Sequence, residues 1–123
     1  ETDATNVHLP HNLSYNTIAY TGTHDNDTLL GWWNSLNNKE RKTIEGYIGG
    51  KKGTIRQRLI ELVWSSCAMT TIIPMQDILA LNGEARMNVP GTATGNWSWR
   101  YQKHQLKKEH FEFIRQLNLR YNR

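Results

Sequence analysis

Cysteine is nearly absent from this sequence, since Cys67 is the only one among 123 residues. A disulfide within the chain is therefore excluded. Because Cys67 lies among apolar residues in a segment with helical spacing, we expect it to be a small buried residue of that helix. Apolar runs are also short. None approaches the roughly 18 residues that a membrane-spanning helix requires, so we expect no membrane partner.

Several signals are missing as well. The first residues, "ETDATNVHLPHN", are acidic and polar and do not resemble a secretory signal, which favours a cytoplasmic protein. They also lack an initiator methionine, so we expect the chain to be cut from a longer one. No P-loop, GxGxxG or GxSxG motif occurs, and these signatures of nucleotide binding and of serine hydrolases are thus excluded.

The excess of positive charge is confined to the last part of the chain. The formal net charge is +4, and the excess of Lys and Arg lies after residue 102, where the only acids are Glu109 and Glu112. The remainder of the chain is balanced. Basic residues on an amphipathic helix usually form a solvated face, so we expect no nucleic-acid partner.

What is present is an alternation of strand and helix signals. A short β-prone run within residues 16–22 ends at Gly22, and a second begins "TTIIP" at residue 70. A loop over residues 82–100 is longer than ordinary connections and is therefore expected to be functional. Helices are predicted for "LLGWWNSL" (29–36), for "NNKERKTIEGYIGG" (37–50), from Thr54 to Cys67 and from Leu106 to Tyr121.

This order of elements is that of two βα units, which are the repeating units of parallel α/β folds. Two strands alone do not make a stable parallel sheet, because such sheets are buried on both faces. The fold class is therefore predicted to be α/β, mostly helical as an isolated piece, and to be part of a larger sheet.

The segment "YTGTHDNDTLLGWW" (20–33) crowds His24, Asp25 and Asp27 between turn-forming residues. Carboxylates at the carboxyl end of a parallel strand lie where α/β barrels place their active sites. Either Asp27 or Thr28 can cap the following helix, and for Asp27 capping is the favoured interpretation. For Asp25 the spacing alone leaves both a catalytic role and a turn-forming role open.

The second loop offers another set of polar and aromatic side chains. Arg86 and Arg100 either donate to a sugar or neutralise buried acids. Trp97 and Trp99 share one side if the backbone is extended, and they either pack in the core or contact flat apolar sugar faces. The candidates in and before this loop are Asp77, Glu84, Arg86, Asn88, Asn96, Trp97, Trp99 and Arg100.

A metal site is the competing interpretation of the first loop. His24 and Asp25, with Asp27 nearby and His8 and His11 upstream, are similar to the ligand set of metal-dependent phosphohydrolases. Those enzymes hold the His-Asp pair on helices, whereas Thr and Gly residues before His24 disfavour a helix here. We therefore favour a site without a metal.

Two long motifs carry a resemblance to a known family. "YTGTHDNDTLLGWW" (20–33) and "PMQDILALNGEARMNVPGTATGNWSWR" (74–100), with "LPHNLSYNTIAY" (9–20), resemble the carboxyl-terminal part of the 4-alpha-glucanotransferases of glycoside hydrolase family 77. The resemblance implies a (β/α)8 barrel that transfers α-1,4-glucan segments to the 4-hydroxyl of an acceptor glucan or glucose, with retention of configuration and without a cofactor. Residues 17–21 and 71–75 would be the seventh and eighth strands.

The resemblance also implies roles for individual residues. Asp25 is expected to stabilise the transition state by hydrogen-bonding the distorted sugar ring. The expected substrate-binding residues are His24, Asn88, Trp97 and Arg100, and the expected partners are α-1,4-glucans and maltooligosaccharides.

The chain departs from the family in length. The nucleophile and the acid/base of a retaining mechanism belong to earlier strands, so residues 1–123 are interpreted as the carboxyl-terminal segment of the catalytic barrel and are expected to be inactive alone. Its unpaired strand edges predict self-association. A non-catalytic glucan-binding module remains the alternative.

Overall fold

The sheet of the molecule consists of two parallel strands. The computed structural model describes residues 3–123. Strand β1 (Ile18–Tyr20) pairs with β2 (Thr70–Ile72), with Ile18 opposite Thr70. Parallel neighbours cannot be joined by a tight turn, and helices supply the connection between them. The predicted order of strand, helices, strand, long loop and helix is therefore confirmed.

The predicted helices are all present, although their ends differ by a few residues. A short additional helix follows β2, and one-turn 3-10 helices occur at Pro10–Asn12, Gly83–Ala85 and Lys103–Gln105. The helices are α1 (Leu29–Ser35), α2 (Asn38–Ile48), α3 (Ile55–Trp64), α4 (Met75–Ile78) and α5 (Lys108–Tyr121). Within residues 3–123, no helix is long and apolar enough to cross a membrane.

Local side-chain caps explain where the connecting helices begin. Thr28 caps α1 by accepting a hydrogen bond from the third residue of the helix. Asn37 and Glu40 form a reciprocal capping box at the start of α2, and Thr54 and Gln57 do the same for α3. Each cap satisfies backbone N–H groups that have no partner within the helix.

The end of α3 differs from the prediction. The helix stops at Trp64, where the hydroxyls of Ser65 and Ser66 donate to carbonyls of its last turn. Such hydroxyls compete with continued helical hydrogen bonding. Cys67 consequently lies outside the helix and is exposed, so the prediction that it is a buried helical residue is wrong. Its neighbour Ala68 is buried instead.

The core lies among the helices rather than on the sheet. Ile60 of α3 is fully buried, and two tryptophans, one from α1 and one from α3, pack around it. By contrast Ile18, Tyr20 and Ile72 of the strands are about half exposed. The buried core comprises Leu29, Trp33, Ile48, Leu59, Ile60, Trp64 and Leu117.

Polar contacts fasten α5 to α3. Arg120 and Tyr121 both donate to Oε1 of the buried Glu61, at 2.5 and 2.7 Å, and Trp64 Nε1 donates to Asn118 Oδ1 at 2.9 Å. Burial opposes the charged form of Glu61, but the hydrogen bonds from Tyr121 and Arg120 outweigh it and lower its pKa. The basic residues of the carboxyl-terminal segment remain exposed, as predicted.

Candidate functional site

The two sequence motifs meet at one edge of the sheet. The first loop, residues 21–28, follows β1. The second loop follows β2 and the short helix α4 and extends over residues 79–102 rather than the predicted 82–100. Because the strands are parallel, both loops leave the sheet at the same edge, where the carboxyl ends of the strands lie. The strand pairing therefore brings together polar residues that are more than sixty positions apart.

A tight turn presents the tip of the first loop. Asn26 Oδ1 accepts hydrogen bonds from the backbone N and the hydroxyl of Thr23, at 2.8 and 2.9 Å. His24 and Asp25 lie between these two residues, with side chains 56% and 49% exposed. His24 Nε2 is 3.4 Å from Asp25 Oδ1. The turn thus holds an imidazole and a carboxylate side by side, both open to solvent.

The second loop is hydrogen-bonded to this tip through Asn88 and Arg86. Asn88 Nδ2 donates to Asp25 Oδ1 at 2.6 Å, and its backbone N donates to the carbonyl of His24 at 3.1 Å. Arg86 donates to the carbonyls of Asp25 and Asn88, at 2.7 and 2.8 Å. Arg86 therefore connects the two loops through their backbone carbonyls.

The ring of Trp97 packs against that of His24, next to the Asp25 carboxylate. The rings of His24 and Trp97 are tilted at 38° with centroids 5.0 Å apart. Trp97 has a φ of 61°, and its backbone N donates to the carbonyl of Met87 at 2.7 Å. The backbone is therefore not extended at Trp97, so the arrangement of Trp97 and Trp99 on one side of a strand does not apply. Trp97 is half exposed, so its ring is not a core residue.

Arg100 is the one predicted binding residue that does not join this cluster. Its guanidinium donates to the carbonyls of Trp97 and Trp99, at 3.1 and 2.7 Å. It thus supports the loop that carries Trp97. The structure brings Asp25, His24, Asn88 and Trp97 together, while Arg100 contacts the backbone of the loop that carries Trp97.

Asp77, one of the candidates from the sequence, is a buried carboxylate beneath the tip. Asp77 is 3% exposed. Its Oδ2 accepts from Thr21 Oγ1 at 2.5 Å and its Oδ1 accepts from the backbone N of Leu29 at 2.8 Å. Burial raises the pKa of Asp77, against the lowering effect of these two hydrogen bonds and of Arg56, while Asp27 raises it further.

Asp27 does not cap α1, so the favoured interpretation of this residue is wrong. Thr28 Oγ1 accepts from the backbone N of Gly31 at 3.1 Å, whereas Asp27 Oδ1 accepts from Thr28 N at 2.7 Å. The Asp27 carboxylate instead fills the space that side chains at Gly31 and Gly83 would need. It therefore packs between α1 and the second loop.

The space between the loops is small. A cavity of about 190 Å³ is lined by both loops and by α4, including His24, Asp27, Asp77 and Arg86. Within residues 3–123, no three His, Cys, Asp or Glu side chains converge to hold a metal ion. His11, one of the ligands that the phosphohydrolase hypothesis requires, is hydrogen-bonded to Tyr47 and to the carbonyl of Ala4.

Comparison with known proteins identifies one family. A family model described as 4-alpha-glucanotransferase matches residues 1–107. The chloroplastic/amyloplastic 4-alpha-glucanotransferase of Solanum tuberosum is 50% identical over 99 residues, which cover 80% of this chain and 17% of that protein. The 4-alpha-glucanotransferase of Clostridium butyricum is 42% identical over 123 residues, which cover 98% of this chain and 25% of that protein.

A solved structure agrees with the sequence matches. Amylomaltase from Streptococcus agalactiae, in complex with acarbose, superposes on the chain with a TM-score of 0.93 at 35% identity. The match covers 100% of this chain and 25% of that one. The chain thus spans 17 to 25% of the length of these relatives, and its fold is that of part of an amylomaltase.

The packing of Asp27 against Gly31 predicts that a larger residue at position 31 destabilises the fold. A Cβ at Gly31 would lie 2.5 Å from both Asp27 carboxylate oxygens, so Gly31→Ala should lower the free energy of unfolding by about 1–3 kcal/mol. Gly46→Ala in α2 is the matched control, since a Cβ at Gly46 would meet nothing within 4 Å. It should be neutral or stabilising by up to about 1 kcal/mol. Urea unfolding of the full-length protein compares them, and equal stability of the two variants would contradict the packing.

Proposed function

This chain belongs to the 4-alpha-glucanotransferase family, and we propose that it forms part of the active site of its full-length protein. The proposed reaction transfers an α-1,4-glucan segment to the 4-hydroxyl of an acceptor glucan or glucose, with retention of configuration. The observation that carries the proposal is the solvent-facing carboxylate of Asp25, held beside His24 by Asn88 across two loops. Acarbose, a glucan analogue, is bound in the matched amylomaltase structure, which supports α-glucans as the partner.

Asp25 is assigned to stabilise the transition state. A retaining transfer passes through a flattened, oxocarbenium-like ring, and hydrogen bonds to sugar hydroxyls that strengthen in that state lower the barrier. A carboxylate accepts such hydrogen bonds more strongly than a neutral group does. Oδ1 of Asp25 already accepts a hydrogen bond from Asn88. Among residues 3–123, this leaves Oδ2 as the oxygen without a partner, and it aligns the exposed carboxylate towards solvent.

The neighbouring residues are assigned to bind the substrate. His24 offers a ring nitrogen to a sugar hydroxyl, and the exposed ring of Trp97 offers a flat apolar surface to a pyranose face. Asn88 aligns Asp25, and Arg100 fixes the backbone of Trp97. In this assignment, therefore, Arg100 acts on the substrate through the position of Trp97.

We also propose the place of the chain in the larger fold. Strands β1 and β2 correspond to the seventh and eighth strands of a (β/α)8 barrel, and residues 1–123 form the carboxyl-terminal segment of its catalytic domain. The half-exposed Ile18, Tyr20 and Ile72 support this, because strands of parallel sheets are otherwise buried on both faces. A cytoplasmic location and the absence of a nucleic-acid partner stay predictions from the sequence.

Replacement of Asp25 tests the proposed role. In the full-length protein, Asp25→Asn should lower kcat for disproportionation of maltotriose by about 100-fold or more, because the amide loses the charge that the transition state requires. KM should change far less. The products are separated by chromatography and counted over time.

Asp3→Asn makes the same chemical change at an exposed position of the same chain and should leave the rate unaltered. Turnover by Asp25→Asn at the rate of the unaltered protein would refute the assignment.

The chain by itself should be inactive, because a retaining mechanism needs a nucleophile and an acid/base that we assign to earlier strands. Incubated with maltotriose, the 123-residue chain should produce neither longer nor shorter oligosaccharides. We also propose that it self-associates through its unpaired strand edges, which sedimentation would detect. Product formation would contradict the division of roles, and tight glucan binding by the inactive chain would favour the glucan-binding module instead.

A further inference from the structure

The Asp77 carboxylate is hydrogen-bonded to both ends of the loop that carries Asp25. Thr21 directly follows β1, Leu29 begins α1, and the turn containing His24 and Asp25 lies between them. Asp77 takes a hydrogen bond from each end, at 2.5 Å from the Thr21 hydroxyl and 2.8 Å from the Leu29 amide. The loop is therefore closed by a side chain that belongs to the opposite strand–loop unit.

This closure is shielded from water, unlike the contacts at the tip. Asp77 is buried, whereas Asp25, His24 and Asn88 meet at the surface. Both sets of contacts involve a carboxylate, but hydrogen bonds weaken when water competes for the partners, and burial shields those of Asp77 from this competition. The contacts of Asp25 with the second loop can exchange with water or with a sugar, but those of Asp77 cannot do so easily.

The neighbourhood of Asp77 is arranged to keep its carboxylate in place. Arg56 donates to the backbone carbonyls of Asp77 and Ile78, at 3.0 and 3.1 Å, and its guanidinium lies over the ring of Phe113. The preceding Gln76 donates to the carbonyl of Ala85 at 3.1 Å. Helix α4, which carries Asp77, is thus tied to α3 and to the second loop.

We propose that Asp77 is a positioning residue for transfer, which fixes the ends of the first loop so that Asp25 faces the sugar ring in its reactive geometry. This inference rests on the proposed function of Asp25. Asp77 itself does not contact the substrate. Displacement of a catalytic group by about 1 Å can cost a factor of about 100 in rate, so a loosened loop should lower kcat even when the protein stays folded.

Variants of Thr21 and Asp77 in the full-length protein test this role. Thr21→Val removes one of the two hydrogen bonds without a change of shape and should lower kcat for maltotriose about 10-fold. Thr21→Ser keeps the hydroxyl and should stay within about 3-fold of the unaltered protein. Asp77→Ala removes both bonds and should lower kcat about 100-fold. KM should change by less than about 3-fold throughout, since the remaining subsites are intact.

Glu61→Ala is the control for a merely structural role. Glu61 is also a buried carboxylate with two side-chain donors, but these join α3 to α5 away from the loops. It should lower the unfolding midpoint at least as much as Thr21→Val does, while kcat per folded molecule stays within about 2-fold. If Asp77→Ala does not fold, the comparison of Thr21→Val with Thr21→Ser decides the question.

Two results would overturn the inference. One is a Thr21→Val enzyme with unaltered kcat while Asp25→Asn is inactive, which would leave the proposed function standing and remove only the role of Asp77. The other is a loss of kcat in Glu61→Ala equal to that in Thr21→Val. If the unaltered full-length protein transfers no glucan, the proposed function fails. Crystal structures then decide the positioning role, since Asp25 should be displaced from Asn88 in Thr21→Val and not in Thr21→Ser.

Discussion

The parallel pairing of β1 with β2 is the constraint on which the candidate site depends. It sends both loops away from the same edge of the sheet, and only then can Asn88 reach Asp25 and Asp77 reach Thr21 and Leu29. The strands contribute little burial of their own, because only Ala19 among their six residues is buried. Their alignment instead relies on the helical core and on polar ties between the two loops.

These ties fall into two layers with different physical properties. At the surface, Asp25, His24 and Asn88 form contacts that water or a sugar hydroxyl can replace. Below them, Asp77 and Asp27 hold backbone amides and fill space that a larger residue at Gly31 would occupy. A site that must bind and release sugars needs exchangeable contacts, and it needs them on a support that does not move.

The sequence was informative where the signal is local. The strand–helix order, the start of α3 near Thr54 and the loop carrying His24 and Asp25 follow from short-range patterns, and the family motifs joined this loop to Asn88 and Trp97. Long-range contacts were not predictable in this way. The φ of Trp97 accompanies a hydrogen bond to Met87, the partners of Asp77 are about fifty residues away, and Cys67 is exposed because α3 ends at Trp64.

The central claim is that the Asp25 carboxylate contacts the sugar ring at which the bond is cleaved. A crystal structure of the full-length protein with an acarbose-type inhibitor spanning the cleavage point tests it most directly. The account predicts an Asp25 carboxylate oxygen within roughly 3 Å of a hydroxyl on that ring, with the first loop still closed on Asp77. An inhibitor bound with Asp25 facing solvent, and with no sugar hydroxyl in hydrogen-bonding reach, would contradict it.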